Sequence, residues 1–138
     1  MHRIWMLFIF ILMSSVVNAA SQSKEGSAVF FISPKDGQTV KNPVKLSFGL
    51  KGMNLIEAGI DRPFSGHHHL LINVNQLPDL NLPIPADNQH IHFGKGQDSG
   101  IINLKPGQYT FQLLFADYLH IPHDKPLISK KISVKVVE

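Results

Sequence analysis

The sequence predicts an all-β fold, a single immunoglobulin-like antiparallel β-sandwich of about seven strands. Three observations carry this. Short apolar runs alternate polar and apolar residues with the period of a strand. Clusters of Gly, Pro, Asn and Asp interrupt those runs at short, regular intervals. No segment repeats apolar residues at convincing helical spacing over the length of a helix.

Residues 28–32 form the first apolar, β-rich run. Ser33-Pro34-Lys35-Asp36-Gly37 turns the chain, with Pro fixing φ and Asp-Gly supplying a left-handed position. Over residues 40–50, Val44, Leu46, Phe48 and Leu50 fall on one face and Lys45, Ser47 and Gly49 on the other. This predicts one half-buried strand. Residues 52–66 read as irregular, with a short helical turn at 55–58. Residues 68–74 form the next strand, on the face shared by Leu70, Ile72 and Val74. Three prolines make 78–85 a loop or an edge segment. Strands follow at 90–93, 99–104, 108–116 and 128–137. Lys105-Pro106-Gly107 leads into Tyr109, the pattern of a tyrosine corner, in which the phenol bonds back to the backbone just upstream. The expected core comprises Phe31, Leu46, Phe48, Leu70, Ile72, Ile91, Phe93, Phe111, Leu113, Ile132 and Val134.

The first residues are a targeting signal. Met1-His2-Arg3 is basic, residues 4–13 are apolar, and Val17 and Ala19 occupy the small-residue positions of a signal peptidase site. Cleavage is expected after Ala19, giving a signal peptide over 1–19, a flexible tether over 20–27 and the sandwich over 28–138. The apolar run is short of the roughly 20 residues that span a bilayer, and no later run reaches that length. The expected location is a periplasm or the exterior, with no stable membrane span after cleavage.

The chain contains no cysteine. It therefore has no disulfide, no lipoprotein anchor and no thiolate for catalysis or soft-metal binding. The formal net charge of +3 falls to +2 when Arg3 leaves with the signal, and the lysines are scattered. A nucleic-acid footprint would need a basic block, and none is present.

Of the eight histidines, all but His2 lie in three short motifs: His67-His68-His69, His90-Ile91-His92 and His120-Ile121-Pro122-His123. Histidine is the commonest metal ligand. Side chains alternate along a strand. His68 therefore shares the core parity of Leu70 and is expected at the rim of the core. His67 and His69 face the other way, and so do His90 and His92. Imidazoles two residues apart on a strand are separated by about 7 Å at the backbone, which lets both rings reach one ion. His69, His90 and His92 are expected to converge, with His67, His120 and His123 nearby. All six are candidate metal ligands, and Asp124 is a candidate to orient one of them. Imidazole suits Zn(II), Cu(II) and Ni(II), with Zn or Cu the expected ion. Three ligands with an open position would make a catalytic centre, and four a closed one.

Other catalytic constellations are weak. No G-x-S-x-G or H-E-x-x-H occurs. Ser65 lies close to His67 in sequence, which is no evidence of a dyad. Gly94-Lys95-Gly96 lacks the spacing of a phosphate loop and reads as a tight turn open to close backbone approach. No catalytic residue and no organic cofactor is assigned, and an enzyme ranks behind a binding module.

Four segments together carry a resemblance: residues 30–37, Gly66-His67-His68-His69-Leu70-Leu71-Ile72, residues 90–97 and Leu119-His120-Ile121-Pro122-His123-Asp124. In that order the chain resembles, from about Val29 to Val137, a bacterial family catalogued as domain of unknown function 4399. The resemblance implies a small exported bacterial domain and supplies no activity. Two function classes follow from the residues. One is an exported module that binds a metal ion or small ligand through its histidines. The other is a structural module of the cell envelope, in which histidine hydrogen bonds stiffen loops and a face meets a protein partner.

Overall fold

Nine strands and no helix form among the described residues, which in this computed structural model are residues 19–138. The expected signal peptide lies, apart from Ala19, outside them. The strands are β1 (Ala28–Ser33), β2 (Thr39–Lys41), β3 (Val44–Lys51), β4 (Asn54–Leu55), β5 (Ser65–Ile72), β6 (His90–His92), β7 (Ser99–Ile102), β8 (Gly107–Ala116) and β9 (Ile132–Val137). No helix among these residues is long and apolar enough to cross a membrane.

The strands make two sheets. The smaller has the order β1-β3-β7. The larger runs β2-β9-β8-β5-β4, with β6 also paired to β5. The inward parities of both sheets meet in one core. Val29, Val44, Leu46 and Phe48 come from the small sheet, and Leu70, Ile72, Phe111, Leu113, Phe115, Val134 and Val136 from the large one. Of the expected core, Phe31 and Ile91 are partly buried and the rest are buried. Phe48 is central, with its ring centroid 4.9 Å from that of Phe93 and 6.3 Å from that of Phe31. Truncating such a ring to Ala costs about 3–5 kcal/mol.

The structure departs from the expected sandwich in three ways. The run over 40–50 is two strands, because Asn42-Pro43 interrupts it. Proline has no N–H to give a ladder, and at this point the chain passes from the large sheet (β2 on β9) to the small one (β3 on β1 and β7). The helical turn expected at 55–58 does not form: β4 takes Leu55, and the backbone donors here are taken across the gap, Asn54 N–H by the Phe64 carbonyl (2.9 Å) and Ile56 N–H by that of Gly66 (2.9 Å). The count is therefore nine strands rather than about seven. Two pairs, β2 with β9 and β4 with β5, are parallel, so the pairing is not wholly antiparallel.

Residues 20–27, expected as a tether, are fastened to the domain. Ser21 Oγ donates to Asp117 Oδ2 (2.6 Å) and Asp124 N–H donates to the Ser21 carbonyl (2.9 Å). Ser23 N–H donates to Asp124 Oδ1 (3.0 Å), and the Ser23 hydroxyl to the Lys125 carbonyl (3.0 Å).

Strand β5 is buried along its whole length. On one side it pairs with β8 from His67 to Ile72. On the other it pairs with β4 at Ser65–Gly66 and with β6 at His69–Leu71. One face looks into the core. The other carries a second apolar cluster of Leu71, Val74, Ile84, Leu114 and Ala116. The histidines divide between these faces.

Candidate metal centre

Alternation on β5 sends His67 and His69 to the face opposite the core. The register fixes their neighbours: His67 lies opposite Ala116 and His69 opposite Leu114 on β8, and His69 opposite His92 on β6. Both β8 partners, Ala116 and Leu114, belong to the second apolar cluster. His120 reaches the same place from the loop after β8. The ring centroids of His67, His69, His92 and His120 lie 4.6–5.8 Å apart. One nitrogen from each can be chosen so that all four fall within 4.8 Å of one another.

The loop that presents His120 is built by Asp117, a residue the sequence reading passed over. The Asp117 carboxylate is buried. Its Oδ1 accepts the N–H groups of Leu119 (2.9 Å) and Ile121 (3.0 Å), and its Oδ2 accepts the Ser21 hydroxyl. His120 N–H closes the turn on the Asp117 carbonyl (2.9 Å), and the His120 carbonyl accepts Ile84 N–H (2.8 Å). His120 itself sits at φ 65°, a left-handed conformation uncommon outside glycine. The signal for this was an Asp directly after a strand, which favours a side-chain-capped turn.

His67 and His69 are the inner pair, 0% and 2% exposed, while His92 and His120 form the outer rim. Burial disfavours the imidazolium, and so do neighbouring imidazoles. His67 is pushed from 6.5 to about 3 by burial first and then by His92 and His120, with Asp117 partly offsetting. His69 falls to about 2 by burial and then by His67, His92 and His120. His92 is lowered by partial burial and by His120. The inner rings are therefore neutral at physiological pH, with lone pairs open for ligation.

His67 Nε2 and His120 Nδ1 lie 3.0 Å apart, where the N–H of one ring donates to the lone pair of the other. The Nδ1 atoms of His67 and His69 are buried without a partner. A buried polar atom left unsatisfied costs about 1–3 kcal/mol, so the cluster carries unmet polar capacity. Zn–N bonds are about 2.0–2.1 Å, which allows two nitrogens on one ion to stand at most about 4.2 Å apart. The observed limit of 4.8 Å lies just outside that, within reach of small ring rotations. The donor set fits a divalent transition ion.

The other candidates stand apart. His90 shares the face of His92 but lies opposite Leu71, one pair further along. Its Nδ1 bonds Asp87 Oδ1 at 2.7 Å, and this bond is the largest of the effects that lower the carboxyl's pKa. His123 is buried, stacked on Phe115 at 5.7 Å, and donates from Nε2 to the Ser65 carbonyl (3.0 Å). Asp124 orients no histidine: its carboxylate accepts from the backbone of Ser23 and Lys125. His68, expected at the core rim, is 0% exposed. Its ring lies 5.0 Å from that of Phe48 and 5.2 Å from that of Phe115. Ser65 donates to the Pro63 carbonyl (3.1 Å) and makes no dyad.

A family model for a domain of unknown function (DUF4399) matches residues 46–137, a span that takes in every histidine motif. No curated protein and no solved structure matches the chain.

Proposed function

This chain belongs to the domain-of-unknown-function family DUF4399, and from its histidine centre we propose that it is an exported metal-binding module. It holds one Zn(II) or Cu(II) ion in His67, His69, His92 and His120. The observation that carries this reading is the convergence of four imidazole nitrogens within 4.8 Å, two of them on buried rings, on the sheet face that carries the second apolar cluster. Four protein nitrogens fill the coordination of a closed site and leave no place for a substrate, so the activity is binding rather than catalysis. Imidazole suits both ions, and the absence of cysteine disfavours Cu(I).

Export is part of the same proposal. It rests on the basic start, the apolar run and the small residues before Ala20. Periplasmic material should begin at Ala20, and mass spectrometry that finds residues 1–19 retained would contradict it. The immunoglobulin-like description of the sandwich also belongs here. It is supported by the Tyr109 hydroxyl on the Lys105 carbonyl (2.7 Å) and by the crossing from β1 in one sheet to β2 in the other.

The test is a titration of tag-free protein, never exposed to a metal column, with Zn(II) and Cu(II). One ion per chain at micromolar concentration or tighter is expected, with binding lost in His67→Ala/His92→Ala. One observation favours a second reading, a structural histidine network in an envelope module that meets a protein partner: the direct His67–His120 hydrogen bond. Under that reading neither metal binds, and His120→Ala lowers stability without any metal effect.

A further inference from the structure

Gly94 has no conformational reason to be glycine. Its φ lies outside the left-handed region, unlike that of Gly96 (φ 70°) two residues on. The reason is the neighbouring ring. A Cβ built on Gly94 would fall against the imidazole of His92, 2.5 Å from Nε2 and 3.0 Å from Nδ1. Carbon atoms make favourable contact only from about 3.5 Å.

The backbone at this point has little freedom to relieve such a clash. Phe93 N–H donates to the His68 carbonyl (3.0 Å), and the Gly94 carbonyl accepts Ala58 N–H (2.9 Å). The Phe93 side chain is buried in the core. The His92 ring would have to move instead. Its present place is 4.6 Å from His120, 4.8 Å from His67 and 5.1 Å from His69, measured between centroids. Hydrogen bonds hold the rings of His90, His120 and His123. Among the described residues none holds that of His92.

We infer that Gly94 is a positioning residue of the metal centre: its missing side chain is the space in which His92 lies to complete the set of four. The inference rests on the metal-binding reading and adds how the outermost ligand is placed. Phe30 over Gly49 and Phe93 over Gly100 show the same packing of a ring on a glycine. There the ring only packs; at Gly94 the seated ring is a ligand.

The test is a double-mutant cycle on tag-free protein: wild type, Gly94→Ala, His92→Ala and the pair, each titrated with Zn(II). Losing the support of a ligand costs about 10–100-fold in metal affinity. Gly94→Ala should show that loss with its metal-free melting temperature unchanged, and the double variant should bind no more weakly than His92→Ala. Wild-type affinity in Gly94→Ala, losses that add in the pair, or a Gly94→Ala chain that does not fold would each overturn the inference. A second readout needs no metal. A proton–proton contact between the His92 and His120 rings, seen by NMR in the wild type, should vanish in Gly94→Ala, and its persistence would overturn the assignment. If the wild type binds no Zn(II), the metal reading fails, and this NMR contact alone still decides whether Gly94 seats His92.

Discussion

His69 and His92 are direct partners across the β5–β6 ladder, with ring centroids 5.1 Å apart. The pair joins a buried ring of the centre to its most exposed one, and the backbone register rather than any side-chain bond sets its spacing. His90 sits one step along the same face, opposite Leu71 and bonded to Asp87. Two histidines of one H-x-H motif are thus given different work.

That difference is measurable. His92→Ala should weaken Zn(II) or Cu(II) binding at least tenfold, while His90→Ala should stay within about threefold of wild type. Isothermal titration at pH 7.5 reads both. Equal losses in the two variants would mean that the ion sits between β6 and the 87–90 turn instead.

Much of this face was legible in the sequence. Period-two alternation put His67, His69 and His92 opposite the core, and Lys105-Pro106-Gly107 before Tyr109 marked a turn whose phenol bonds back to the chain. The pairing register was not legible. A shift of two residues between β5 and β6 would keep every parity and set His90 opposite His69 in place of His92. The place of His120 was also hidden, because a loop carries it and the Asp117 carboxylate shapes that loop. The break at Pro43 was masked by Val40 and Val44, which share a parity and so read as one strand across it.

Asp117 should prove as important to the centre as a ligand. Asp117→Ala would orphan the N–H groups of Leu119 and Ile121 and release Ser21. Hydrogen bonds to a charged acceptor contribute about 1.5–3 kcal/mol each. A loss of about 2–4 kcal/mol in urea denaturation is expected, together with weaker metal binding as His120 moves. Asp117→Asn keeps an acceptor for the two backbone donors and should recover most of the stability. An alanine variant with wild-type affinity would show that His120 holds its place unaided.

His68 stands between Phe48 and Phe115 with neither ring nitrogen partnered. Burial lowers its pKa to about 4, so it is neutral in the folded protein and its polar atoms go unmet. His68→Leu removes those atoms at similar volume and should raise stability at pH 7.5 by about 1–2 kcal/mol, leaving metal affinity unchanged because the ring faces the core. A drop of more than 1 kcal/mol in the same urea assay would contradict this and point to a partner for the ring.

The metal-free domain should be acid-labile in a window set chiefly by three rings, with His92 and His123 lowered in the same direction. His67, His68 and His69 have folded values of about 3, 4 and 2 against 6.5 as the ordinary value. With the folded pKa depressed, the unfolded chain takes up protons first as pH falls. Their contribution is thus fully present above 6.5 and is lost on the way down towards the folded values. Each unit of pH in that interval costs up to about 1.4 kcal/mol per histidine, so at pH 5 each contributes at most about 2 kcal/mol of destabilisation. Three together reach the scale of a small domain's whole stability, about 5–15 kcal/mol. Urea midpoints in the presence of a chelator should fall steeply between pH 7 and pH 5, and His68→Leu should flatten the slope. A midpoint constant across that interval would mean that the three rings are hydrated or already charged in the folded state.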